Sequence, residues 1–270
     1  MGKDYLIMIY NKLVDSEWYF SSVFENSLEY IYYLLMKYIH ESDTPVGAWS
    51  LREKLLQHGI ECGTATIGRY LKTLDGREYT VGCGNQGRRL TPKGTIYLRK
   101  IEKALEQAEL QTTLSTATQI NEYKDLIELL YVRKVLETET AAAAAKYATE
   151  EELNRLQDAL EAHERCVAQN QDPTETALNF HQTVADISHN KYLQALIKLL
   201  IFQESEIEYA IESLVSRELG HKYIVEHRDI VAAILKHEPK RAAELMSEHV
   251  RTIYSDVYES IRDDKNLKMR

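Results

Sequence analysis

Cysteine, proline and glycine are all scarce in this chain, with 3, 4 and 11 residues among 270. Cys62, Cys83 and Cys166 are odd in number and widely spaced, which argues against a disulfide framework and against a cysteine-based zinc site. With so few breakers, and with 28% charged residues set among 44% hydrophobic ones, the composition is that of long amphipathic helices, not of disorder or an all-β fold. No apolar run approaches the roughly 18 to 20 residues that cross a bilayer. The start, Met1-Gly2-Lys3-Asp4, lacks the basic end and small-residue cleavage pattern of a secretory leader. The expectation is a cytoplasmic protein with no membrane partner, long enough for two domains. A Ser-His-Asp arrangement, a phosphate-cradling glycine loop and a His-Glu-x-x-His pattern are also missing, which removes three enzyme classes.

The net charge of −9 is unevenly spread. Residues 1–109 hold 14 basic and 14 acidic side chains, so the whole excess lies in residues 110–270. Residues 63–103 run the other way, with nine basic groups against Asp75, Glu78 and Glu102. A basic segment inside an acidic protein points to a polyanionic partner, unless it is only a solvated helix face.

The local pattern favours the partner. Leu28, Ile31, Tyr32, Leu35, Met36 and Ile39 recur at helical spacing, and a second short helix follows Pro45 with Leu51, Leu55 and Leu56. It ends at His58-Gly59, where glycine permits the left-handed closing conformation. A third helix runs from about Thr64 to Leu74, burying Ile67, Leu71 and Leu74. Its other face presents Thr64, Thr66, Arg69, Lys72 and Thr73, hydroxyls first and cations further on, which suits a DNA major groove. Tyr79-Thr80-Val81, the turn 82–87 and Arg88-Arg89-Leu90-Thr91 then predict a hairpin, with Arg88, Arg89 and Lys93 placed to reach phosphates. Three helices and a basic hairpin make a winged helix-turn-helix.

Three stretches carry a resemblance. Val46-Gly47-Ala48-Trp49-Ser50-Leu51, Thr64-Ala65-Thr66-Ile67-Gly68-Arg69-Tyr70-Leu71 and Asn85-Gln86-Gly87-Arg88-Arg89-Leu90-Thr91-Pro92-Lys93-Gly94 are similar to the winged helix shared by ribonuclease R and archaeal nitrogen regulators. The usual winged helix of GntR-type regulators differs, with a third helix closer to Ser-Arg-x-x-Val-Arg-x-Ala-Leu.

Residues 92–111 read as a linking helix, and Thr112 to Thr118 as a hydroxyl-rich boundary of poor helix propensity. The second domain is helical throughout. Thr149 and Glu152 form a capping box, and helices follow at about 123–147, 149 onward, 175–188, 191–214, 220–236 and 239–264. The segments Leu130-Tyr131-Val132-Arg133-Lys134-Val135-Leu136-Glu137, Asn179-Phe180-His181, Asn190-Lys191-Tyr192-Leu193, Glu226-His227-Arg228-Asp229-Ile230 and Glu248-His249-Val250 resemble, in order, the effector domain of the FadR subgroup of GntR-type regulators, the FCD domain.

His181, His227 and His249 fall on three separate predicted helices, each beside an apolar face, so they can converge in a bundle centre as ligands for zinc or a similar divalent metal. Each alone reads equally as a satisfied core histidine. The resemblance implies a metal held by three such histidines and an aspartate one turn before the first. Ala177 stands at that position, which removes a charged ligand and leaves more room for water or an effector carboxylate. His163, His189, His221 and His237 read as surface residues. Arg133 is either a structural partner of Glu137 or Glu139 or, as the resemblance implies, the grip on an effector carboxylate.

The expected architecture is mainly α: an N-terminal extension (1–26), a winged helix-turn-helix (27–91), a linking helix and linker (92–118), and an antiparallel FCD-like bundle of six to seven helices (119–270). The expected role is a homodimeric, ligand-responsive regulator on a double-stranded DNA operator, with no enzyme activity. The competing reading is a metal-dependent enzyme or RNA-binding protein using the three-histidine site. Against it, Glu218-Leu219-Gly220-His221 is the one Glu-x-x-His match in the sequence.

Overall fold

The computed structural model describes residues 22–208 and 216–263. The aromatic and β-prone segments at Tyr5–Tyr10 and Trp18–Phe20 lie outside the described residues, as does the end of the helix expected over 191–214. The described residues fall into two compact units that meet between Ala117 and Thr118.

In the first unit, Asn26 starts α1 (Ser27–His40) by accepting the backbone N–H groups of Leu28 and Glu29 at 3.0 and 3.1 Å. The run Tyr30–Met36 is buried on every side, so α1 is the central helix of this unit. Around it pack α2 (Ala48–Gln57) and α3 (Thr64–Gly76), with Leu51, Leu55, Ile67, Leu71 and Leu74 fully buried. Gly59, at φ +71°, closes α2: its N–H reaches the Leu56 carbonyl while Ile60 N–H reaches Leu55. This sharp turn sets α3 across α2.

Strands β1 (Thr80–Gly82) and β2 (Arg88–Leu90) pair antiparallel with Val81 opposite Arg89, and Val46 bridges Arg88 on the open edge of β2. Two glycines allow this corner. A Cβ on Gly87, at φ +124°, would stand 2.3 Å from the Val46 carbonyl carbon, and one on Gly94 would stand 2.0 Å from the Tyr79 oxygen. The linking helix α4 (Pro92–Ala117) runs further than propensity suggests. Thr112 returns its hydroxyl to the Ala108 carbonyl one turn back, so this hydroxyl is satisfied inside the helix.

The second unit contains α5 (Tyr123–Tyr147), α6 (Glu150–Ala168), α7 (Thr174–Ile187), α8 (Lys191–Glu208), α9 (Ser216–Leu235) and α10 (Pro239–Asp263). The Thr149–Glu152 capping box is formed, each side chain meeting the other's backbone N–H. Helix α10 packs along α5, where Ala141, Ala144 and Ala145 are fully buried and let helices approach closely. Phe180, Val184, Ile230, Ile234, Met246 and Val250 complete that core. The histidine cluster sits in the same unit, between α7, α9 and α10.

Candidate functional site

Helix α3 buries one apolar stripe and leaves Thr64, Arg69, Lys72 and Thr73 exposed, with Thr66 half-buried. These are the residues expected to face DNA. Arg69 is steadied by the Thr66 hydroxyl at 3.1 Å, and the Thr73 hydroxyl donates back to the Arg69 carbonyl. Lys72 stands on the exposed face of the same helix.

The hairpin departs from expectation at Arg88. Its guanidinium is engaged by Asp75 of α3, with Nε 2.9 and 3.0 Å from the two carboxylate oxygens and an ion-pair contact of 2.8 Å. Thr80 donates to the same carboxylate. Burial alone would raise the Asp75 pKa, but the hydrogen bonds from Arg88 and Thr80 and the Arg88 charge outweigh it and hold the carboxyl below its usual range. Arg88 therefore joins hairpin to helix. Arg89 is exposed and donates to the Asp43 carbonyl at 2.8 Å, and Lys93 pairs with exposed Glu78.

In the second unit, His181 from α7, His227 from α9 and His249 from α10 converge although the chain separates them widely. Their ligand atoms all lie within 4.8 Å of one another, and each residue is at most 2% exposed. His249 Nε2 is 2.9 Å from His227 Nε2 and 3.3 Å from His181 Nε2. Carboxylates stand behind two of the rings: Glu137 lies 2.5 Å from His181 Nδ1, and Glu226 2.7 Å from His249 Nδ1. The hydrogen bond to Glu226 places the His249 proton on Nδ1 and turns its Nε2 lone pair toward the other two rings.

Burial pushes the His249 imidazole down to about 4, with His181 adding to the effect and Glu226 opposing it. Burial and the neighbouring imidazoles likewise hold His227 well below its ordinary value. Three buried imidazole nitrogens that converge this closely form a donor set that fits a divalent metal of borderline softness. Ala177, half-buried one turn before His181, offers no ligand atom.

Arg133 is fully buried on α5. It pairs with Glu137 one turn on, Nε to Oε1 at 2.6 Å, and with Glu204 of α8. Glu139, the other partner weighed from sequence, is exposed. Desolvation opposes both charges, but Arg133 and His181 outweigh it for Glu137 and hold that carboxyl at about 2. The two carboxylates likewise keep Arg133 ionised. The guanidinium Nη2 is buried without a hydrogen-bond partner among the described residues. A chain of close polar contacts thus runs from Glu204 through Arg133 and Glu137 to His181.

His189 is partly exposed and hydrogen-bonds Glu152, and His221 and His237 are exposed, as expected. His163 is not at the surface. It is 1% exposed, and its ring centroid is 5.2 Å from that of His227. The signal was present in the sequence: Leu156, Ala159, His163 and Val167 follow one buried helical stripe. Nothing local pointed to Glu204 or to the carboxylates behind the rings.

Residues 33–98 match the ribonuclease R winged-helix domain and residues 128–252 match the FCD domain. Over 223 residues, 76% of this chain and 80% of the relative, the chain is 26% identical to the Uxu operon regulator of Haemophilus influenzae. A 60-residue stretch, 22% of this chain and 19% of the relative, is 38% identical to the global nitrogen regulator NrpRI of Methanosarcina mazei. Among solved structures, Streptococcus agalactiae GntR aligns at 21% identity and a TM-score of 0.43, over 84% of this chain and 99% of that one.

Proposed function

For a chain that is an FCD-domain transcription regulator of the GntR type carrying a ribonuclease R-type winged helix, we propose ligand-controlled binding to operator DNA. The observation that carries the reading is the pairing, in one chain, of an exposed basic recognition helix with a buried cluster of three histidines. In this reading α3 enters the major groove with Thr64, Thr66, Arg69, Lys72 and Thr73, while Arg89 and Lys93 border the phosphates. Two copies bind as a homodimer, which calls for a roughly palindromic operator with half-sites separated by whole helical turns.

His181, His227 and His249 would hold a divalent metal such as zinc, and the metal would supply a Lewis-acid anchor for a small carboxylate effector. Glu137 and Glu226 fix the orientation of two of the rings. Arg133, already engaged by Glu137 and Glu204, keeps one nitrogen free of partners. That nitrogen gives it a second role at the effector. The effector changes operator affinity only through different affinities for the two protein states. Among the described residues no helix is long and apolar enough to cross a membrane.

The test is a titration of labelled duplex DNA from upstream of the chain's own gene with the full chain, before and after chelation and with a panel of small carboxylates. The expected result is salt-dependent binding tighter than to unrelated DNA, shifted by a carboxylate only in the metal-loaded sample. Binding no tighter than to unrelated duplex would overturn the regulator reading. A carboxylate response that survives chelation would overturn the metal's part in it.

A further inference from the structure

His163 is a buried imidazole with an unused lone pair. It comes from α6, a fourth helix around the three-histidine cluster. Its Nδ1 lies 3.1 Å from the Thr176 hydroxyl, and that hydroxyl donates its own hydrogen to the Pro173 carbonyl at 2.9 Å. Thr176 Oγ1 is therefore the acceptor, the His163 proton sits on Nδ1, and Nε2 carries a lone pair. Nε2 is buried and has no hydrogen-bond partner among the described residues. An orphaned acceptor inside a core costs stability unless something fills its need.

The surroundings say what could fill it. The ring packs against His227, itself stacked on Phe180 at 4.0 Å between centroids. Thr176, which orients His163, immediately precedes Ala177, the position on α7 that contributes no donor toward the cluster. His163 thus lies against His227, on a helix that contributes none of the three clustered histidines.

We infer that His163 is a fourth functional imidazole of this site, its Nε2 accepting a hydrogen bond from the water or ligand hydroxyl in the open position of a metal held by His181, His227 and His249. This rests on the metal reading of those three histidines. His163 is then a positioning residue: it favours occupants of the open position that carry a hydrogen to donate. Groups that orient a metal's ligands from outside the coordination sphere typically change affinity by about 10- to 100-fold.

The full chain, freed of metal with a chelator, is titrated with cobalt(II) in competition with a chromophoric chelator, and the visible ligand-field bands are recorded. His163→Phe keeps a ring of similar size and removes the acceptor, with His163→Leu as a second acceptor-free variant should the first not fold. His163→Gln keeps a carbonyl acceptor. Thermal unfolding of each metal-free variant reports folding. The expected result is cobalt(II) binding weakened about tenfold or more in the acceptor-free variant, with altered bands. His163→Gln recovers the wild-type bands, and exposed His221→Ala changes nothing.

Wild-type affinity and bands in the acceptor-free variant would overturn this inference alone, provided that His227→Ala still abolishes binding. A glutamine variant as impaired as the acceptor-free one would reduce His163 to packing and overturn it as well. A wild-type chain that takes up no cobalt(II) would overturn the three-histidine metal reading together with this one.

Discussion

Arg88 of the hairpin and Asp75 of the recognition helix are locked together, the guanidinium Nε standing 2.9 and 3.0 Å from the two carboxylate oxygens. The pair makes opposite predictions from charge and from geometry. Asp75→Asn removes a negative charge from a face that meets a polyanion, which by itself strengthens binding. It also frees the hairpin from α3. We expect Asp75→Asn and Arg88→Ala both to weaken operator binding in a DNA titration. Tighter binding by Asp75→Asn would show that the lock does not place the hairpin.

The same pair has a pH signature. Because the folded pKa of Asp75 lies below its unfolded value, its contribution to stability is fully present above the ordinary aspartate range near pH 4. It is lost as pH falls through the lower folded value. Backbone amide signals of residues 80–90 should broaden or shift on acidification below pH ~4 in the wild type. The same amides in Asp75→Asn should already be displaced at neutral pH and respond less to acid.

Arg69 and Lys72 have no carboxylate partner among the described residues, and so carry the outward charge of α3. Lys72→Ala should weaken binding nearly uniformly across sequences and lower the slope of log affinity against log salt by about one. Arg69→Ala should cost about 1 to 3 kcal/mol and relax sequence preference if it reads a base edge. Unchanged affinity in both variants would remove α3 from the DNA interface.

Arg133→Met should destabilise the second unit by about 3 to 5 kcal/mol, because it strands the buried carboxylates Glu137 and Glu204. Thermal unfolding followed by circular dichroism measures this directly. A variant of near-wild-type stability that has lost only its carboxylate response would make Arg133 an effector contact and little else.

Gly94→Ala should damage the first unit more than a helix-favouring substitution ordinarily does. A Cβ there meets the Tyr79 carbonyl oxygen at 2.0 Å, so α4 must move off the start of the hairpin. The expected outcome is a lower unfolding midpoint and weaker DNA binding, with metal uptake by the second unit unchanged.

Local signals were legible wherever the physics is local. The Thr149–Glu152 capping box, the glycine stop at Gly59 and the apolar stripe of α3 involve residues within a turn or two of each other, so spacing alone reveals them. The helix end expected before Thr112 was misplaced, because propensity cannot register that a threonine hydroxyl finds its acceptor one turn back. The Asp75 partner of Arg88 was hidden for a related reason: a cation on a hairpin looks free until the chain brings Asp75, thirteen residues earlier, against it.

From the order of its residues, this chain was already bound to form amphipathic helices, a basic hairpin and three histidines on apolar faces, because periodicity and capping are properties of neighbours. Packing alone decided which polar groups share a core. Glu204 reaches Arg133 across 71 residues, and His163, indistinguishable in sequence from the exposed histidines except by its stripe, lies against His227 from a different helix. Such pairings depend on how helices rotate and meet, and their energies come from desolvation, which exists only once the core has closed.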